Sequence, residues 1–432
     1  MTTAAASSSA PTVKTLLGIW ALFLAFTFVQ LGNGIQRVLL PIRGESEGFT
    51  PSTMGFVMAF HFAGYLIGAK FAPMSLRSVG HIRVFSAMAS LASVGVLLNS
   101  AFITPFTWCG IYFIGGICNA TIFVVLESWL NDRATNENRG QILGSYMVVN
   151  LAGSAGGQLL ANLGNADGFK MFIFSSVLLS LAIVPMTLSA SSNPPTPTSS
   201  SMPFRELYKL VPSAVLGTTF ASFVQAAMSS MAIVFAIEVG MSTSKATVFV
   251  GAGLTGAIIL QIPLGRLSDK FPRRIIILSC IFISTITAVL QALLPNSSNL
   301  HIILNLLFGA FVFPLYGLFA ALANDLVPSD KRVSASSTLV LASSSGAVVS
   351  PIVIGFLLGN FGPSSYFLAN ASVLAFIGLY ISYRTRVKEA VPVENQSPFI
   401  PLTARSGQIA HSLGRWVKNP LAIWPRGKPD SE

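Results

Sequence analysis

Apolar residues in this chain neither alternate nor return every third or fourth position. They run in long unbroken blocks between short polar breaks, and a block of about 20 such residues is the length at which a helix crosses a bilayer. Dividing the chain at the breaks predicts twelve spans, near 15–40, 50–72, 81–101, 105–131, 139–164, 168–188, 208–239, 244–267, 273–294, 299–325, 332–359 and 363–383. Several exceed the minimum length, which implies tilt or continuation into the interface, not extra spans. The expected fold is an all-α membrane protein.

The blocks fall into two sets of six. Between them lies the Pro/Ser-rich stretch "SASSNPPTPTSSSMPFRE", residues 189–206, which reads as a flexible linker. This divides the chain into a short N-terminal segment (1–14), a first bundle (15–188), a linker (189–207), a second bundle (208–384) and a basic tail (385–432). An offset of 193 carries Asn131 and Asp132 onto Asn324 and Asp325, Arg139 onto Arg332, and Gly153 onto Gly346. That pattern suggests two pseudo-symmetric six-helix bundles. Many secondary transporters are built this way, with the site between the halves near mid-membrane.

Charge then fixes an expected orientation. Only 9% of residues are charged, against roughly 25% in soluble domains. All but four of the 26 Lys and Arg fall on one side if both termini are cytoplasmic; the exceptions are Arg37, Arg43, Lys170 and Lys245. The net charge of +11 thus follows from topology, with anionic lipid of the inner leaflet as its partner and no nucleic acid. Past Arg386, "ARSGQIAHSLGRWVKNPLAIWPRGK" is either a disordered end or an interfacial strip lying on that lipid. The start, "MTTAAASSSAPTVK", resembles a secretory signal, but no small-residue cleavage site follows the apolar run, so a first span is expected. Cys109, Cys118 and Cys280 make no disulfide framework, and the four histidines (61, 81, 301 and 411) lack ligand spacing, so no metal or cofactor is indicated.

The most specific run is "GRLSDKFPRR", Gly265 to Arg274, at the end of the eighth span. Asp269 ends a helix where the macrodipole is already negative and therefore needs a positive partner, for which the start of the eleventh span with Arg332 is the expected source. Gly265 is expected to let two helices approach, while Arg273 and Arg274 anchor the next span. This Gly-x-x-x-Asp-x-x-x-Arg-Arg run, set in a six-plus-six layout, resembles the signature loop of the major facilitator superfamily over roughly residues 15 to 385. Within it, "VLESWLNDRATNENRGQILGSYMV" resembles the bacterial YcaD-like subgroup. The resemblance implies transport by alternating access, and places spans one and seven beside a central cavity. The matching first-half loop keeps Gly68, Arg77, Gly80 and Arg83 but has Ala72 where the second half has Asp269. Gly144, Gly153 and Gly157 partly match the antiporter motif of drug/proton exchangers, with Gln158 in place of its proline and Ala161-Asn162 in place of its closing glycine pair; small residues four apart are equally a helix-packing device.

Polar residues within spans are the site candidates, because burying them in lipid is costly. Gln30, Asn33 and Arg37 lie within about 60° of each other on a helix, so the first span has a polar face. Arg37 either clamps an anionic substrate or pairs with Glu45 or Glu47. His61 is a proton relay or a neutral packing residue, and Asn119, Asn150 and Gln225 touch substrate or join helices. Asp325 beside Lys331 and Arg332, and Arg139 in the first half, are inner-gate candidates. Glu127, about four residues from the expected end of the fourth span, has two readings. It is a latch facing Arg77 or Arg139 that replaces the acid missing at Ala72, or a buried acid that carries the coupled proton.

These features predict a secondary active transporter of a small, amphipathic organic solute, coupled to protons, leaning towards efflux by antiport, and working as a monomer in the bacterial inner membrane. No Gly-x-x-x-x-Gly-Lys-Ser/Thr or His-Glu-x-x-His run is present, so neither ATP hydrolysis nor a zinc hydrolase is expected. The competing class is a non-transporting receptor that keeps the fold.

Overall fold

The computed structural model describes residues 13–134, 139–164, 169–188, 202–296, 298–328 and 331–387, with Pro392, Glu394, Gln396 and Phe399. The first half comprises α1 (Val13–Ser46), α2 (Pro51–Val79), α3 (His81–Ala101), α4 (Pro105–Arg133), α5 (Arg139–Leu160), α6 (Phe169–Leu181) and α7 (Ile183–Leu188). The second comprises α8 (Phe204–Leu210), α9 (Pro212–Ser230), α10 (Ala232–Glu238), α11 (Thr243–Lys270), α12 (Arg273–Leu293), α13 (Leu300–Leu326), α14 (Arg332–Phe361) and α15 (Ser364–Val387).

Ten of these helical units are long and apolar enough to cross a membrane, and α8 with α9 makes an eleventh if that bent pair is one span. The twelfth is α5, whose serines, glycines, Asn150 and Gln158 dilute its apolar character while it packs between α1 and α11. Two expected spans are broken. The sixth divides into α6 and α7 at Ala182, one residue after Leu181, whose carbonyl the ring of Pro185 meets four positions later. The seventh divides into α9 and α10 at Met231, just after Ser229 and Ser230 donate to the carbonyls of Gln225 (2.7 Å) and Ala226 (2.6 Å), bonds of the kind that bend helices.

Packing repeats across the halves. In the first, α2 packs on α4, α1 on α5 and α6, and α3 on α4 and α6; in the second, α11 packs on α13, α9 on α14 and α15, and α12 on α13 and α15. The offset-matched glycines play the same part. A Cβ on Gly153 would lie 2.8 Å from Gln30 of α1, and one on Gly346 would lie 2.2 Å from the Thr219 carbonyl of α9. The halves themselves meet through α2 with α14 and α5 with α11, which are also symmetry equivalents. Backbones touch at the start of α2, where Gly55 leaves room for the Pro351 carbonyl and for Gly355, and Ser52 Oγ donates to Gly355 O at 3.3 Å.

The loops after α2, α4 and α11 define one end of the bundle, here the basic end, and the Gly55 contact marks the opposite, far end. Most of the expected linker lies outside the described residues. Its last residues are tied down: Met202 N–H donates to the Ser334 carbonyl (3.3 Å) and its own carbonyl accepts from Thr338 Oγ1 (2.6 Å), and α8 lies at 110° to α9, with Glu206 paired to Lys331 at 2.9 Å. The N-terminal segment up to Thr12 and the basic strip from Pro401 onward fall outside the described residues.

Candidate functional site

Between the halves lie two adjoining pockets with about 680 and 380 Å³ of space, counting their open mouths, and Arg37, Phe62 and Ser229 line both. The first half supplies most of the polar wall. Gln30, Asn33 and Arg37 occupy one face of α1, and each finds a partner on a neighbouring helix. Asn33 Nδ2 donates to Asn119 Oδ1 on α4 at 2.9 Å and faces Gln30 Oε1 at 3.4 Å. Gln30 Nε2 donates in turn to the side-chain and backbone oxygens of Asn150 on α5. These four amides form a buried chain across α4, α1 and α5, the arrangement that keeps buried polar groups from costing stability.

One turn along α1, Arg37 Nη1 donates to Ser154 Oγ of α5 at 2.9 Å, at the junction of the two pockets. Of its two expected partners, Glu47 is bonded to Arg43 at 2.6 Å. His61 lines the second pocket with its ring 5.7 Å from Tyr112. The second half contributes hydroxyls and one amide. Ser222, Gln225 and Ser229 recur at helical spacing on α9, and Ser343 and Ser344 face them from α14. Gln225 Nε2 donates to the Val312 and Phe313 carbonyls of α13 (3.3 and 3.1 Å), which holds its side chain across the α9–α13 seam. The wall therefore combines one guanidinium, amides, hydroxyls and the rings of Phe62, Tyr65 and Phe313.

Glu127 is buried at 2% exposure in α4 and accepts a hydrogen bond from Tyr146 Oη of α5 at 3.1 Å. Around it stand aromatic rings: Phe26 stacks on Tyr146 at 5.0 Å and meets Phe123 at 5.2 Å, and Phe123 meets Tyr65 at 6.2 Å. Tyr316 of α13, bonded to Ser343 of the cavity wall, lies within electrostatic reach of Glu127 across the two halves. α4 continues to Arg133, so Glu127 sits about 9 Å from its end, deeper than its place in the sequence implies. Of its two expected basic partners, Arg77 is exposed and the Arg139 side chain lies outside the described residues.

The signature loop is assembled differently from expectation. Asp269 is met by Arg273 at 3.6 Å and by the backbone N–H of Phe399, at 2.8 Å, and not by the start of α14. Arg332 Nε donates to the Val327 carbonyl at 3.2 Å. Asp325 pairs with Arg273 at 3.1 Å, both side chains 1% exposed, while Lys331 pairs with Glu206. What stands nearest to Gly265 is the Phe399 ring, 2.1 Å from where a Cβ would stand. With its amide set to pair both atoms, Gln396 bridges Ser268 O (3.1 Å) and Arg273 N (3.2 Å), joining the end of α11 to the start of α12. Arg274 is buried beside Arg273 at the start of α12. The pairing differs because Arg273, one turn beyond Asp269, reaches both acids at once, whereas Arg332 bonds the carbonyl of Val327, which caps the end of α13.

Sequence reasoning missed the serines 154, 222, 229, 343 and 344 and the tyrosines 65 and 112. Serine is common wherever membrane helices pack closely, so a single one carries little signal. The run "SASSTLVLASSSGAVVS" in α14 is dense enough to have marked that helix. No group of three or more His, Cys, Asp or Glu able to hold a metal ion occurs among the described residues.

Comparison with known proteins places this arrangement. The family model of the Major Facilitator Superfamily matches residues 22–253 and again 213–424. Proteins described as uncharacterized MFS-type transporter YcaD, from Salmonella heidelberg (strain SL476) and Escherichia fergusonii, are 24% identical over 377 residues, spanning 87% of this chain and 97% of theirs. The crystal structure of the nucleoside transporter NupG superposes with a TM-score of 0.73 at 11% identity, covering 86% of this chain and 100% of that one. A bacterial homolog of the human lysosomal transporter Spinster, inward-facing and occupied, gives 0.69 at 15% identity, covering 90% and 99%. At such identities the structures share the fold alone. Two halves with equivalent helix packing, a cavity between them and a family model matched twice along the chain lead to one assignment: this chain is a multi-pass membrane transport protein that belongs to the Major Facilitator Superfamily.

Proposed function

We propose that the protein is a secondary active transporter of a small amphipathic organic solute, coupled to protons and working by alternating access. It acts as a monomer in the bacterial inner membrane, with the basic end and both termini cytoplasmic. The observation that carries this reading is the cavity on the seam between the halves, with Arg37 at its centre and Glu127 buried behind it, one turn beyond Phe123, whose ring meets Tyr65 of the wall. Arg37 is the group to receive an acidic or strongly polar part of the solute, the amide chain orients it, and the rings take its apolar part.

Glu127 is the acid placed to carry the proton. It is buried, and its hydroxyl partner, Tyr146, lies in the same half. A proton taken up there changes the charge at the seam without a cofactor. The contact of backbones at Gly55 and Gly355 supports a state closed at the far end, with the cavity reached from the basic end. Exchange of a proton for a solute fits export, the direction favoured here. The relatives and fold neighbours that carry names are transporters, which favours transport over a receptor role. Purified protein in liposomes should drive solute uphill when a pH difference is imposed. Movement that follows only the solute's own gradient would remove the proton from the account.

A further inference from the structure

We infer that the central cavity has an apolar side branch between α5 and α11, and that the branch takes the hydrophobic arm of an organic anion whose acidic head rests on Arg37. The inference rests on the transporter reading above and names its substrate class.

The branch has about 280 Å³ of space, counting its open mouth, and is lined by Gly144, Met147, Val148 and Leu151 of α5 and by Ile258, Gln261 and Ile262 of α11; Val148 and Ile262 are exposed, so its mouth faces the bilayer. Leu151 also lines the main cavity, so the two spaces adjoin across that side chain. On α11 the face continues from Leu254, in the cavity wall, to Ile258 and Gln261 at helical spacing.

Two observations point to a ligand rather than to imperfect packing. Gln261 is 3% exposed, and neither atom of its amide has a hydrogen-bond partner, in a branch whose other side chains are apolar. A buried amide left this way is destabilising unless something fills its valences. The glycines of α5 also divide by role. Gly157 touches the α1 backbone, with a Cβ position 2.2 Å from Leu31 O, and Gly153 abuts Gln30, whereas a Cβ on Gly144 would meet nothing within 4 Å. Gly144 is therefore a glycine that keeps space open, not one that lets helices touch.

The dimensions set the ligand. Ser154, which Arg37 engages, is ten residues from Gly144, or about 15 Å along the helix, and Gln261 lies about 10 Å from Leu254. An anion with an unbranched arm of about twelve carbons spans that distance, and a hydroxyl about two-thirds along the arm would reach Gln261. Each methylene moved from water into the branch should tighten binding about fourfold.

The test measures binding of hexanoate, dodecanoate and 8-hydroxydodecanoate to the full chain in nanodiscs, with uptake by empty nanodiscs subtracted. The six added methylenes should make the wild type bind dodecanoate more tightly than hexanoate by roughly a thousandfold or more, and the hydroxy acid more tightly still. Gly144→Leu and, independently, Met147→Trp should abolish the gain with length and leave hexanoate unchanged. Gln261→Leu should abolish only the gain from the hydroxyl. A gain with length that survives both filling variants, or a branch already blocked to thiol reagents at Val148→Cys without added anion because a bilayer lipid occupies it, overturns the inference. If no alkanoate binds while a pH difference still drives another solute, the branch assignment fails and the transporter reading stands.

Discussion

At Gly64 and Gly116 a side chain has nowhere to go. A Cβ on the first would fall 1.9 Å from the Phe113 carbonyl and on the second 2.0 Å from the His61 carbonyl, so these two glycines set how closely α2 crosses α4. Gly64→Leu should therefore cost at least the roughly 1–3 kcal/mol typical of overpacking, seen as a lower midpoint of thermal unfolding in detergent, while Gly144→Leu should leave the midpoint nearly unchanged. Glu127 makes a sharper case. Glu127→Gln keeps the shape and the tyrosine contact but cannot release a proton; it should abolish pH-driven accumulation and leave solute exchange intact. A shifted balance between the two access states, with coupling preserved, would instead make Glu127 a latch. At this scale the sequence showed the polar face of α1, because three long polar side chains at helical spacing are costly in lipid and so conspicuous. It hid the serines and Tyr146, since small hydroxyls and aromatic rings are ordinary in spans, and it hid the partner of Asp269, because a residue some 130 positions away supplies one of its bonds.

Helices were legible in number and order, since unbroken apolar length is a strong signal; their breaks were less so. Pro185 gives away the division of α6 from α7, but the bend at Met231 arises from side chains bonding back to their own helix, which no run of apolar residues reveals. The start of α12 shows how elements are joined. Arg273 holds Asp325 of α13 in a nearly dry pair. Arg273→Met should destabilise the fold by about 3–5 kcal/mol because it strands a buried carboxylate, and adding Asp325→Leu should restore much of the loss, both read from unfolding midpoints. Recovery that fails to appear would mean that the pair does more than compensate its own burial.

The whole molecule follows from duplication. An offset read from four residues matches helices that pack alike, and the seam where the repeats meet is where the cavity lies. What the offset could not show is which end of the seam is closed, because that depends on backbone contact at Gly55 and Gly355, between elements some 300 residues apart. Gly55→Leu should prevent that contact and bias the molecule towards a far-end-open state. Spin labels at Gly48 and Gly240, in far-end loops of the two halves, and at Val79 and Phe271, exposed at the basic end, turn the central claim into two distances. Measured by pulsed electron resonance in nanodiscs, wild type against Gly55→Leu and at high against low pH, the account predicts opposite changes: as the first pair separates, the second closes. Distances that stay fixed, or that widen and narrow together, would contradict alternating access.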